Sequence, residues 1–253
     1  MLFLVGIGLK PSHLTQEALE TLKSSDRVYL ENYTSAYSEG NFEALEDMIG
    51  KAATRLERKQ VEEEFAPILE EAKTKNIALA VFGNPLNATT HVQILLDAKE
   101  AGVKTRAIAG VSIFEYVSFT GLERYKFGRT TSIVFHEDEY APESFYDAII
   151  ENKKAGLHTL CLLDIRSDEN RMMDIRHAIS LLESIEEKRE QSALSDTIMV
   201  GIAGAGSGDE QIKAGTAEHL KAFAFGPFPQ ALIVCGKLNE KEIEALKAFG
   251  GLQ

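Results

Sequence analysis

The chain has 253 residues, with 27 Lys and Arg against 39 Asp and Glu, for a formal net charge of −12. With 44% hydrophobic residues it can bury a sizeable core, as one large domain or two ordinary ones. The acidic balance excludes a general nucleic-acid binder, which needs clustered Lys and Arg. No apolar run reaches the about 18–20 residues that cross a bilayer.

The first residues, Met-Leu-Phe-Leu-Val-Gly-Ile-Gly-Leu, read as a buried strand running into a glycine turn. They carry no basic n-region and no small-residue cleavage site, so a strand is expected here and not a signal peptide. A helix then opens at Thr15. Strand-like runs follow at 27–30, 77–82 and 104–108, separated by helical patterns at 15–23, 41–49, 61–75 and 90–101. This alternation predicts a βαβ series on one parallel sheet. Gly102 closes the last helix. A second set has strands at 131–135, 158–164, 196–203 and 230–235, with helices at 143–154, 169–189 and 241–249. Residues 211–214 are a candidate antiparallel strand. Gly121 and Gly128 bracket a loop-like stretch within 119–129. The expected domains are therefore 1–118 and 119–253, both α/β, without a low-complexity linker between them. The charge-rich runs 57–64 and 183–190 read as solvated helix faces. Cys161 and Cys235 lie inside apolar runs and read as buried thiols of a cytoplasmic protein, neither a disulfide nor a zinc site.

Ligands of parallel α/β sheets collect at the carboxyl ends of strands, so the segments that follow each strand are the candidates. Gly6-x-Gly8 with Glu31 at the next strand end suggests a dinucleotide fold. Pro11, however, stands where the third glycine of that fingerprint belongs, and the helix starts late. The 83–91 loop, Gly-Asn-Pro-Leu-Asn-Ala-Thr-Thr-His, is the richest. Gly83 allows close approach, Pro85 stiffens the turn, Asn84 and Asn87 offer amides, and Thr89 or Thr90 is placed to cap a helix. An ordinary strand-to-helix turn uses the same residues. His91 falls in the first turn of a helix, where imidazolium is disfavoured, and reads as a packing or capping residue ahead of an acid or base. Asp164 either accepts hydrogen bonds from a ligand or pairs with Arg166. Ala203-Gly-Ala-Gly-Ser207 lacks the Gly-Lys-Ser/Thr ending of a phosphate loop, and its small residues leave room for a flat group such as adenine. No His-Glu-x-x-His or Gly-x-Ser-x-Gly pattern occurs.

Taken together, Val5-Gly-Ile-Gly-Leu-Lys-Pro-Ser-His-Leu-Thr15, Gly83-Asn-Pro85 and the two-part layout resemble the tetrapyrrole-methylase superfamily. The finer resemblance is to the diphthine synthase family. It is carried by Glu31-Asn-Tyr-Thr-Ser35, the 83–91 loop, Ser112-Ile113, Thr120-Gly-Leu122, Tyr125-Lys-Phe-Gly128, Gly156-Leu-His-Thr-Leu160, Leu163-Asp-Ile165 and Gly236-Lys-Leu238. It implies two α/β domains with a cofactor cleft between them, a homodimer, and methyl transfer from S-adenosylmethionine without a metal. The implied acceptor is the amino group of a 3-amino-3-carboxypropyl chain on a histidine of translation elongation factor 2. The implied product is the trimethylated diphthine of the diphthamide route. The archaeal type stops at three N-methyl groups and the eukaryotic type adds a methyl ester; the compact length favours the archaeal type. Carried over residue by residue, the cofactor contacts are Leu9, Asn84, Asn87, Ser112, Ile113, Leu163, Ala205 and Gln230. Glu31, Tyr33, His91 and Asp164 are candidates for guiding the acceptor. The family's usual Gly-Asp-Pro is Gly83-Asn84-Pro85 here, and its usual histidine before the last core strand is Gln230. The competing readings are a small-molecule methylase of the same superfamily and a non-catalytic nucleotide-binding module.

Overall fold

The structure, a computed structural model, describes residues 1–138, 140–166 and 169–253. They form two compact units, Met1–Phe114 with Arg166–Glu169, and Glu115–Ile165 with Asn170–Gln253.

In the first unit five strands, β1 (Leu2–Gly6), β2 (Arg27–Glu31), β3 (Thr54–Leu56), β4 (Ile77–Val81) and β5 (Thr105–Ile108), make one sheet of order β3-β2-β4-β1-β5. Every pairing is parallel. The alternation along each strand decides which helix covers which face. Val5, Val28, Leu30, Ala78 and Ala80 pack with Ala18 and Leu22 of α1 (Gln16–Ser24) and with Leu45 and Ile49 of α2 (Phe42–Ile49). Leu2, Leu4, Tyr29, Ile77, Leu79 and Val81 pack with α3 (Arg58–Glu62), α4 (Ala66–Ala72) and α5 (Val92–Glu100) on the other face. α1 starts where the sequence predicts, with the Thr15 side chain accepting from Ala18 N. α2 is capped by Asn41 and ended by Gly50 in the left-handed region at φ 72°.

Two expectations change. The run 61–75 is not one helix, because Pro67 opens a second one and has no N–H to continue the first. The edge strand β3 was not expected: it is three residues long, and only Leu56 is buried.

The helix α6 (Ile113–Tyr116) and the two-residue strand β8 (Ile165–Arg166) each have residues in both units, and the second unit holds β6 (Thr131–Ile133), α7 (Ser144–Lys154), β7 (Thr159–Leu163), the two-residue strand β9 (Arg171–Met172), α8 (Ile175–Arg189), β10 (Met199–Ala203), β11 (Gln211–Gly215), α9 (Ala217–Ala222), β12 (Gln230–Val234) and α10 (Glu240–Phe249). The sheet order is β11-β10-β12-β7-β6. It is mixed: β6 runs parallel to β7, and the other pairings are antiparallel. The candidate antiparallel strand at 211–214 is present as β11, and α9 is additional. α8 begins at Ile175, later than the expected 169, because Asp174 accepts from His177 N and fixes the helix start there. Phe145, Tyr146 and Ile149 of α7, with Ile179, Leu182 and Ile185 of α8 and Leu220 of α9, seal one face of this sheet.

Both cysteines are buried and free, as the sequence suggests. Burial pushes the Cys161 thiol up and the Cys235 thiol up to about 12.

Candidate active site

In the first unit the chain leaves the adjacent strands β1 and β4 in opposite directions. β1 leads through α1 on one face toward β2, and β4 leads through α5 on the other face toward β5. Such a divergence opens a crevice at the carboxyl ends of the two strands. Glycines line it. Gly8 and Gly83, at φ 74° and 63°, exchange backbone hydrogen bonds of 3.2 and 2.9 Å across it. A Cβ at Gly6 would lie 2.6 Å from the Gly83 carbonyl oxygen, and one at Gly110 would lie 2.1 Å from it. Three neighbouring strand ends therefore meet through bare backbone, and any side chain there would force them apart.

Five expected contact residues stand around these glycines in one unit. Leu9 is buried, and its carbonyl accepts from both Ser38 N (2.8 Å) and Ser38 Oγ (2.9 Å). Half-buried Asn84 makes an Asx turn, with Oδ1 accepting from Leu86 N at 3.2 Å. An aspartate would make the same turn, so the departure at this position keeps the loop's shape and removes a charge. Asn87 Nδ2 donates to Ser112 Oγ at 3.3 Å, and Ser112 Oγ also accepts from Phe114 N. Ser112 is buried against Gly83, whose added Cβ would meet the serine Cβ at 3.3 Å. Half-buried Ile113 begins α6.

The other three belong to the second unit and share one end of its sheet. Leu163 ends β7, Gln230 begins β12, and Ala205 lies two residues past the end of β10. The registers Ala231↔Leu162 and Ala203↔Gln230 put these termini side by side. Gln230 is buried with both amide atoms engaged: Oε1 accepts from Ile175 N (2.9 Å) and Nε2 donates to Pro227 O (3.1 Å). The amide donor expected to face a ligand is thus engaged by the Pro227 carbonyl, while the amide oxygen holds the start of α8. Gly204 and Gly206, at φ 60° and 81°, flank Ala205.

The acceptor-guiding candidates separate. Glu31 and His91 are 0% and 1% exposed and face each other, with Glu31 Oε2 3.7 Å from His91 Nε2. Glu31 is turned onto its own chain, not toward a ribose: Oε1 accepts from Tyr33 N and Thr34 N (3.1 and 2.6 Å), and Oε2 accepts from Thr34 Oγ1 (2.8 Å). His91 precedes α5 as a packing residue, with no side-chain cap bond at that helix start. Thr89 does not cap the helix either; its hydroxyl donates to Pro85 O at 2.6 Å. Burial and the nearby Glu31 raise the pKa of the Tyr33 phenol. Asp164, in the other unit, accepts from Phe135 N at 3.1 Å. Arg166 pairs with Glu169 at 3.1 Å. Among the described residues no group of three or more His, Cys, Asp and Glu is arranged to hold a metal. The contribution of Gly110 was not singled out in the sequence. Its signal is a glycine two residues past the end of β5.

The profile of the tetrapyrrole (corrin/porphyrin) methylases matches residues 1–221. A diphthine synthase of Methanococcus maripaludis is 40% identical over 249 residues, covering 98% of each chain. A diphthine methyl ester synthase of Candida glabrata is 38% identical, covering 98% of this chain and 90% of its own. A crystal structure of diphthine synthase superposes with a TM-score of 0.90 at 35% identity, covering 100% of this chain and 96% of that one. The chain belongs to the tetrapyrrole methylase family. Its full-length likeness to named diphthine synthases places it in that branch of the family.

Proposed function

We propose that this protein is a diphthine synthase: an S-adenosylmethionine-dependent methyltransferase of diphthamide biosynthesis. Full-length likeness to diphthine synthases carries the reading, and the glycine-lined crevice at the β1 and β4 ends supports it. We further propose the finer assignment, in which the acceptor is the 3-amino-3-carboxypropyl histidine of translation elongation factor 2 and three methyl groups reach its amino nitrogen, as in the archaeal-type reaction. A cytoplasmic homodimer acting on this protein substrate is part of the same proposal. We assign Leu9, Asn84, Asn87, Ser112 and Ile113 of the first unit, and Leu163, Ala205 and Gln230 of the second, as cofactor contacts.

The residues fit the cofactor. Gly6, Gly83 and Gly110 pack backbone on backbone, which draws together the strand ends and the loops that carry Asn87 and Ser112. The Asn87 amide and the Ser112 hydroxyl supply paired donors and acceptors beside them. No lysine or arginine is among the assigned residues, which suits a ligand bearing a sulfonium cation. Bound S-adenosylmethionine supplies a methyl group that is already electrophilic. The chain then needs to hold a neutral amine in line with it and exclude water, and positioning of this kind is worth about 7–11 kcal/mol. No strong base is required for the transfer step itself, which accounts for a site without a nucleophile–base dyad.

Calorimetric titration separates the readings. S-adenosylmethionine is expected to bind one site per chain, and NAD is expected not to bind. Tight NAD binding without S-adenosylmethionine binding would overturn the assignment in favour of a dinucleotide module.

A further inference from the structure

The segment that follows β2 does not stay beside its own strand. β2 pairs with β4 and β4 pairs with β1, so β4 lies between β2 and β1. Residues 38–40 nevertheless run alongside residues 9–11, which follow β1. Ser38 N and Ser38 Oγ both donate to Leu9 O, at 2.8 and 2.9 Å. Glu39 pairs with Lys10 at 3.7 Å. Gly40, at φ 84°, passes so close to Pro11 that a Cβ there would lie 2.9 Å from the proline Cδ. To reach this register the chain crosses the carboxyl end of β4, and Tyr37 marks the crossing. Its ring stands edge-on to Phe82, the residue before Gly83, with centroids 5.1 Å apart, and also meets Phe42 of α2 at 6.2 Å. The near end is fixed as well, because Glu31 accepts from Tyr33 N, Thr34 N and Thr34 Oγ1.

Residues 32–40 are thus a strap tied to both strand ends that form the crevice, to β4 through Tyr37 and to β1 through Ser38. The softest point beneath it is the Gly8–Leu9 corner. Gly8 sits in the left-handed region at φ 74° and, as a glycine, turns more freely than any other residue. Leu9, directly after it, is an assigned cofactor contact. A carbonyl oxygen has two lone pairs, and Ser38 supplies two donors to the one at Leu9. A ligand therefore meets the rest of Leu9, from a position that Ser38 sets. The neighbouring Lys10–Glu39 pair adds little, since it is long and the glutamate is half in water. We propose that Ser38 is a positioning residue for S-adenosylmethionine: its two hydrogen bonds clamp Leu9 at the crevice, so that closure of the 32–40 strap and binding of the methyl donor favour each other. The inference rests on the methyltransferase reading and on Leu9 as a contact.

The test uses the full chain, with S-adenosylmethionine affinity measured by calorimetry. Ser38→Ala keeps the amide bond and loses the hydroxyl bond. Its affinity is expected to fall by about fivefold, the worth of one hydrogen bond. Ser38→Thr returns the hydroxyl and is expected to return the affinity. Gly40→Ala leaves Ser38 in place but pushes the strap off Pro11, and is expected to weaken binding as well. In 15N-labelled wild-type protein, saturating cofactor is expected to slow hydrogen exchange of the Ser38 amide by at least about fivefold, because coupled equilibria shift each other equally. A serine that serves stability alone would leave that rate indifferent to the cofactor. Equal affinity of Ser38→Ala and wild type, an affinity that Ser38→Thr does not restore, or a Ser38 amide that exchanges at one rate with and without the cofactor would overturn the proposal. If the wild-type chain binds no S-adenosylmethionine, the methyltransferase reading falls and the proposal with it.

Discussion

Glu242 is the acid whose removal the second unit should feel most. Its carboxylate is fully buried at the start of α10. Oε1 accepts from Glu123 N (3.1 Å) and His158 Nε2 (2.8 Å), and Oε2 accepts from Asn239 N (3.0 Å) and the Lys126 ammonium. Burial alone would raise its pKa. The Lys126, Asn239, His158 and Glu123 donors outweigh that and hold it down at about 2, from an ordinary 4.5. The folded value lies below the unfolded one, so the stabilisation is complete above about pH 4.5 and drains away as pH falls toward 2. A gap of about 2.5 pH units corresponds to about 3 kcal/mol at neutral pH, and about 1.4 kcal/mol of this is gone by about pH 3.5. Glu242→Gln strips the anion from Lys126 and leaves one fewer acceptor for four donors. It is expected to cost about 3 kcal/mol at pH 7. Urea unfolding of both proteins at each pH reads this directly. The gap between them should narrow by about 1.4 kcal/mol from pH 7 to pH 3.5. A gap below about 1 kcal/mol at pH 7, or one that does not change with pH, would refute the reasoning.

Other expectations follow from the same geometry. Asn87→Trp and Ser112→Leu should weaken S-adenosylmethionine binding by at least about 100-fold while the melting temperature of Asn87→Trp stays within a few degrees, because Asn87 is only half-buried; unchanged calorimetric affinity would remove both residues from the site. Gly110→Ala drives a Cβ to 2.1 Å from Gly83 O and should destabilise the first unit by about 2–4 kcal/mol in chemical denaturation; a loss under about 0.5 kcal/mol would show that the strand ends part easily. Cys161 and Cys235 should resist a thiol reagent at pH 8 in the native protein and react, two per chain, in denaturant. Fast native labelling would contradict their burial.

Much of this architecture is written locally. β1, β2 and β4 are largely apolar runs with helices between them, and Thr15, Asn41 and Gly102 punctuate those helices as their chemistry requires. What was missed is short or long-range. β3 contributes one buried side chain, Leu56, beside a charged stretch that reads equally well as a helix. Pro67, inside an otherwise helical pattern, is the local signal for the break between α3 and α4. The mixed order of the second sheet depends on pairings between strands tens of residues apart, which periodicity does not encode. The site shows the same division. The loops after β1, β4 and β5 could be found from glycines and amides at strand ends. Glu31 and His91 were each visible, but their apposition across 60 positions comes from β2 lying beside β4. The Lys126–His158–Glu242 cluster had no local pattern at all.

The central claim is tested most directly by incubating the protein with labelled S-adenosylmethionine and archaeal elongation factor 2 that carries the 3-amino-3-carboxypropyl histidine, then measuring the mass of the modified peptide. Three methyl groups on the amino nitrogen are the predicted result. No transfer to this peptide, with the cofactor bound and a tetrapyrrole precursor methylated in its place, would contradict the account.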